Sequence, residues 1–261
     1  MATKVQDLAT TETYAALEMA PHDVADMLMA SGGGQRISPF DLDVIKTPSG
    51  QGAAAWTVQT LDGEESVKAL DGIVILARTI RSYWAKGLEE SGGGSPPDCS
   101  SQDGQIGIGA PEGHPDFKAG NFETRFDTNG DEIHRGRFSC ADCPYAEFGS
   151  DAKGRGQACK QNLLLFMLGA ESVIPMVVKV PPSSIKPVRN FIMRTSGRGI
   201  PMHGMVVSLG LNKVKNSTGI AYFEIVPSFV RRLDAEETAK TKALRESLMP
   251  VLTGVRVEAD I

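Results

Sequence analysis

The chain has 261 residues, 41% of them hydrophobic, enough to bury one large core, so a miniature fold dependent on a covalent staple is excluded. No stretch reaches the roughly 18 apolar residues of a spanning helix, and the first twenty residues hold no apolar run of leader length, so a cytoplasmic protein without a membrane partner is expected. The net charge of −5 hides an asymmetry: residues 1–152 carry 11 Lys/Arg against 24 Asp/Glu, a net of −13, whereas residues 153–215 carry 10 Lys/Arg against the single acid Glu171, a net of +9. A block of one sign fits either an acidic surface elsewhere in the same protein or a partner that bears phosphates.

In chain order, residues 1–35 read as a polar, mobile segment with one short helix over PHDVADMLMA, where Val24, Met27 and Leu28 share a face. From residue 36 the texture becomes strand-like: FDLDVIKT, AAWTVQTL and IVILARTIRSYW are separated by turn signals such as PSGQG and LDGEE. GLEESGGGSPPD then breaks the pattern, and an apolar-poor segment, about 87–160, holds all four cysteines and reads as an insertion. Within it DTNGDEIH fails as a calcium loop, because Glu132 and Phe138 stand where glycine and glutamate are required, so a hairpin turn is expected. Strand texture returns at LLLFML and VIPMVVKV. A helix follows over PPSSIKPVRNFIMRTSGRG, with Ser183 or Ser184 as N-cap, Ile185, Val188 and Ile192 inward and Gly197 as its stop. A hairpin over residues 205–230 and a helix from Asp234, opened by the pair Asp234 and Glu237, complete a core of residues 36–233 and a terminal segment of 234–261.

The cysteines carry the clearest chemical signal. Cys140 and Cys143 form a CxxC pair, Cys159 follows in the same glycine-rich loop and Cys99 precedes them. Four thiolates in one insertion match the closed tetrahedral shell of structural Zn2+, which would supply the folding free energy such a segment lacks. Only half of the pattern is a CxxC knuckle, so His114 or His134 could replace one ligand. Redox or inert buried thiols are the alternatives, although ADCPYAEFGS is too loop-like for a CxxC that opens a helix.

Cations interleaved with aromatics suit a single nucleic-acid strand, where the cations meet phosphates and the rings stack on bases. Arg78, Arg81, Tyr83, Trp84 and Lys86 lie before the insertion, and Lys160, Lys186, Arg189, Arg194, Arg198, Lys213 and Lys215 lie in the basic block. Lys186 and Arg189 share a helix face, and Lys213 and Lys215 share one side of the hairpin tip.

RSYW, PPDCSSQDG, CADCPYAEFGS, GRGQACK and KVPPSSIKPVRNF together resemble, over about residues 36–230, the zinc-containing single-stranded-DNA-binding proteins of phages. They are similar also to the zinc-bearing OB domain in the large subunit of replication protein A. The resemblance implies a mainly β fold with a few helices, an OB-type five-stranded barrel with the zinc lobe inserted, and sequence-tolerant binding of single-stranded DNA in replication, recombination or repair. It implies replication or recombination proteins as further partners and the cytoplasm of a bacterial host. The match departs at both ends: residues 234–261 hold six acids and four bases where the family has a strongly acidic tail, and the first 35 residues have Lys4 alone where the family has a basic segment. No enzyme motif is present and no catalytic residue is expected. The alternatives are a nuclease-like enzyme using Asp98, Asp103 and Asp142, or a zinc-stapled module that binds another protein.

Overall fold

The computed structural model describes residues 13–32, 41–86, 96–109, 122–126, 132–151, 156–216 and 219–254, with the backbone alone at 122–126 and 132–135. The protein is mainly β, and its frame is set by one strand, β4 (Ala69–Tyr83). Its first residues, Ala69–Gly72, pair with β11 (Met205–Lys215), and the rest, Ile73–Ser82, pair antiparallel with β9 (Lys160–Leu168). A bulge between Val74 and Leu76 bends β4 so that it can serve both partners. Glycine is required near this bend: a Cβ on Gly72 would lie 2.3 Å from the carbonyl oxygen of Leu168.

β9 pairs in turn with β10 (Met176–Val180), whose other edge takes β1 (Val44–Lys46) in parallel, and β11 forms a long hairpin with β12 (Ala221–Arg232). β2 (Trp56–Thr60) and β3 (Gly63–Val67) form a separate two-stranded ribbon. The expected closed barrel is not formed: among the described residues β12 pairs only with β11, and the edge of β10 that would close the ring is occupied by β1.

LLLFML is a continuous apolar run because both of its faces are buried. Leu164, Phe166 and Leu168 join one core and Leu163, Leu165 and Met167 the other, as the alternation of a strand demands. The first core is covered by α1 (Pro21–Ser31) and α3 (Ala235–Gly254), the second by α2 (Pro182–Ser196), the β11–β12 hairpin and Trp56. Trp56 is fully buried, and its indole N–H donates to the Leu209 carbonyl at 2.8 Å.

Three local expectations are corrected. Residues 14–17 are not a mobile tether, since Tyr14, Ala16 and Leu17 are buried in the first core beside Val24 and Leu28, whereas Met27 is exposed. The N-cap of α2 is Pro181, and the Ser184 hydroxyl instead accepts a hydrogen bond from the Ile225 N–H at 2.9 Å, tying the helix to β12. The buried face of α2 accordingly runs through Ser184, Val188, Phe191 and Thr195, with Ile185 and Ile192 half-buried. Asp234 and Glu237 do form the expected reciprocal cap, each backbone N–H donating to the other's carboxylate at 2.8 Å.

The insertion contributes four strands to the far end of the same sheet: β5 (Cys99–Ser101), β6 (Ile106–Gly109), β7 (Phe122–Phe126) and β8 (Glu132–Ser139). β5 docks on the end of β4, Arg81 facing Ser101 and Tyr83 facing Cys99. Most of the DTNGDEIH turn lies outside the described residues, but the strands on either side of it pair antiparallel, Phe126 facing Glu132. Because Ser82 faces Lys160, the entrance and exit of the whole insertion are adjacent. No described helix is long and apolar enough to cross a membrane.

Candidate metal centre and nucleic-acid interface

Cys99 opens β5, Cys140 follows β8, Cys143 sits in the turn after it, and Cys159 immediately precedes β9. Backbone hydrogen bonds fix this arrangement. The Cys140 N–H donates to Gln105 O and the Cys159 N–H to Tyr145 O, both at 2.8 Å, while the Ala146 N–H donates to Cys143 O at 2.9 Å. Pro144–Ala146 is a single 3-10 turn, so the CxxC does not open the helix that a thioredoxin-like site requires.

The four free thiols line one cavity of about 20 Å3, together with Arg81, Tyr83, Gly107 and Tyr145. That is room for a single water-sized atom. A Cβ on Gly107 would stand 2.8 Å from the Cys99 Sγ and 3.7 Å from the Cys140 Sγ, so glycine lets the sulfurs sit against β6. Tyr83 stacks on Tyr145, with ring centroids 4.2 Å apart and planes at 19°.

Burial, reinforced by the neighbouring thiols, pushes Cys99 up to about 12. Burial raises Cys159 to about 11 against the opposing pull of Arg81, and raises Cys140 against the Ser101 hydroxyl and Arg81. Four thiols crowded into an apolar wall keep their protons unless a cation joins them. Arg81 is the cation already present. Its Nη2 donates to Gln161 Oε1 at 2.9 Å, while its Nε and Nη1 are buried without a hydrogen-bond partner.

Among the described residues no three Cys, His, Asp or Glu side chains stand close enough, as placed, to be gripping an ion. The sulfurs share a cavity without forming a closed shell. The all-thiol donor set, the one-atom space, the glycine cradle and the two unpartnered guanidinium nitrogens are what a tetrahedral thiolate centre would use. His114 lies outside the described residues, and of His134 only the backbone, in β8, is described.

A second feature lies on the other side of Cys159. A groove of about 590 Å3 runs between the insertion, which supplies Phe148 and Gln157, the start of β9, which supplies Lys160 and Gln161, and the first turns of α2, which supply Lys186 and Arg189. Phe148 is 83% exposed, a large ring held open to solvent. Arg189 donates to the Thr79 hydroxyl at 2.8 Å, and Lys160 is paired with Asp151 and donates to Gln157 O at 2.7 Å.

The structure gathers Lys160, Lys186 and Arg189 and scatters the other expected contacts. Arg78 is a correction: it is buried at 9% exposure, lies 5.6 Å above the Phe166 ring and donates to the carbonyls of Leu252 at 3.3 Å and Thr253 at 2.9 Å, closing the C-terminal end of α3. Arg81 is half-buried and lines the thiol cavity, and Tyr83 is buried in its stack, so both are engaged with the insertion. Trp84 is half-buried and Lys86 exposed beyond the end of β4. Arg194 lines a separate shallow groove with Met193, Glu224 and Val226. Arg198 is exposed just past the end of α2, and Lys213 and Lys215 are exposed on β11 near the hairpin tip, Lys213 lying 5.6 Å from the Phe223 ring centroid.

Sequence reasoning missed Phe148 and Gln161. An aromatic flanked by Glu147 and Gly149 in a glycine-rich loop was the available signal for Phe148; for Gln161 there was none. Of the three acids weighed for a nuclease, Asp142 is exposed in the turn after Cys140, whereas Asp98 and Asp103 have structural partners. Asp98 accepts from the Ala85 N–H at 2.7 Å, and Asp103 accepts from Gln105 N–H at 2.8 Å, Ile106 N–H at 2.9 Å and the Ser101 hydroxyl at 3.0 Å, shaping the β5–β6 turn. No family model, curated protein or solved structure matches this chain.

Proposed function

We propose that the protein binds single-stranded DNA without regard to sequence, in the groove between the insertion and α2, and presents such strands for replication, recombination or repair. The observation that carries the reading is the convergence of Lys160, Lys186 and Arg189 with the exposed ring of Phe148 on one groove. Cations set along a concave track meet successive phosphates, and an open ring accepts any base by stacking.

The frame supports it. β4, β9 and β10, then α2, then β11 and β12 follow the strand order of a five-stranded OB barrel left open between β10 and β12. In that scheme the insertion is the loop between the first and second strands and the β11–β12 tip, with Lys213 and Lys215, is the loop between the fourth and fifth. Those are the two loops through which OB folds hold oligonucleotides.

The same proposal gives the insertion a Zn2+ ion held by Cys99, Cys140, Cys143 and Cys159. A closed thiolate shell supplies folding free energy and no reaction chemistry. Asp98 and Asp103, bound to backbone N–H groups, favour a binding protein over a nuclease.

Fluorescence titration with single- and double-stranded oligonucleotides at several salt concentrations tests the reading. Tighter binding to the single strand, strengthening with length and weakening with salt, is expected. Equal affinity for both forms, or indifference to salt, overturns it. A protein-binding module would ignore strandedness, and a nuclease would shorten the oligonucleotide.

A further inference from the structure

We infer that Arg81 is the positive partner of the four-thiol centre and the link through which that centre orders the groove wall. The inference rests on the zinc reading above. Arg81 sits on β4 where the insertion joins the core, facing Ser101 of β5 on one side and Gln161 of β9 on the other. Its guanidinium lines the thiol cavity with Nε and Nη1 buried and unpartnered, while Nη2 holds Gln161 Oε1 at 2.9 Å.

Two guanidinium nitrogens buried without an acceptor are unfavourable unless an anion faces them. Neutral thiols are poor acceptors. Four thiolates around one divalent ion leave excess negative charge on the sulfurs, and that charge is what the idle donors would meet. The planar fork of an arginine can face the sulfurs along one edge while its other arm holds a neighbour at a fixed angle, a geometry that the compact, freely rotating ammonium of a lysine does not preset. The neighbour here is Gln161, in the groove beside Lys160. Arg81 is thus a positioning residue: it touches no strand of DNA, and it ties occupancy of the centre to the placement of residues 157–161.

Two measurements that need no DNA test this on the full chain. Zinc affinity, by competition with a chromogenic chelator, should fall roughly 10–100-fold in Arg81→Gln, as for other outer-shell partners of metal sites, and recover in part in Arg81→Lys. Amide hydrogen exchange of the zinc-loaded protein should lose protection over residues 157–161 in Arg81→Gln and in Gln161→Leu, while Gln161→Leu keeps wild-type zinc affinity. Zinc affinity unchanged in Arg81→Gln overturns the inference, as does unchanged protection in both variants. Arg81→Lys supplies the comparison if Arg81→Gln fails to fold. Wild-type protein that takes up no zinc overturns this inference together with the zinc reading. Wild-type protein that takes up zinc but binds no single strand overturns the proposed function alone, and the zinc affinities and exchange rates still decide the role of Arg81.

Discussion

At the residue scale, cations that look alike in the sequence divide by what their guanidinium or ammonium groups meet. Arg78 and Lys186 make the contrast measurable. Arg78→Ala removes charged donors from the last carbonyls of α3 and leaves a gap over Phe166, so a stability loss of about 2 kcal/mol is expected by denaturant unfolding. The same variant should leave the salt dependence of oligonucleotide binding unchanged. Lys186→Ala should do the reverse: stability near wild type, and a plot of log affinity against log salt flatter by roughly 0.7, the counterion released at one single-strand phosphate. Phe148→Ala should weaken binding by about 1–3 kcal/mol with an unchanged slope, because stacking releases no counterion. An altered slope in Phe148→Ala, or none in Lys186→Ala, would remove the groove from the path of the strand. The sequence placed all three of the groove's cations in one basic block, but nothing in RTIRSYW distinguishes Arg78 and Arg81, which the fold turns inward, from contacts made at the surface.

At the element scale, what was legible is what depends on neighbours in sequence. The strand texture of IVILARTIRSYW and LLLFML, the β11–β12 hairpin and the cap of α3 are local patterns, and they appear where the residues place them. Illegible features depend on partners far along the chain: β1 in place of a closing strand on β10, Ser184 bonded to β12, and Tyr14 and Leu17 drawn into the core. The four thiols were legible as a set, yet their relation to Arg81 needed the register of β4 against β5 and β9. The α3 cap yields a prediction of its own. Arg231 holds the Glu237 carboxylate at 2.8 and 2.9 Å and thereby keeps its pKa below the ordinary value of 4.5. A carboxylate depressed in the folded state stabilises fully above its unfolded value, and the contribution is lost as the pH falls through the folded one. Glu237→Gln keeps an acceptor for the Asp234 N–H but loses the charged pair with Arg231, so it should be less stable than wild type by roughly 0.5–1 kcal/mol at neutral pH, with the gap closing as the pH falls below the ordinary carboxylate range in acid unfolding curves. A gap independent of pH would assign the effect to packing instead.

At the scale of the whole molecule, among the described residues the strands of the insertion pair with the core only through β4, and that makes the two separable. β4 and β9 pair from Ile73 to Ser82, with one residue skipped at the bulge, and they belong to the two buried cores rather than to the insertion. Ser82 and Lys160 face each other, so Tyr83 and Cys159 are the natural ends of a hairpin once everything between them is removed. Replacing residues 84–158 by Asn-Gly, the two-residue turn whose twist suits antiparallel strands, should leave a folded core, because among the described residues no buried side chain of either core comes from the replaced segment. Circular dichroism and a single cooperative unfolding transition would report that core. The shortened chain should take up no zinc and lose most of its affinity for a single strand, since Phe148 and the outer wall of the groove leave with the insertion while Lys186 and Arg189 remain. If the proposed Zn2+ is present, stripping it from the intact chain with a chelator, or replacing Cys143 by Ser, should give the milder form of the same result: a folded core, lost exchange protection over residues 140–151 and 156–159 and weakened binding. If the shortened chain binds a single strand as tightly as the intact one, the interface lies on the β11–β12 hairpin with Lys213 and Lys215, and the insertion serves another partner. If it does not fold, the insertion is part of the core's own stability.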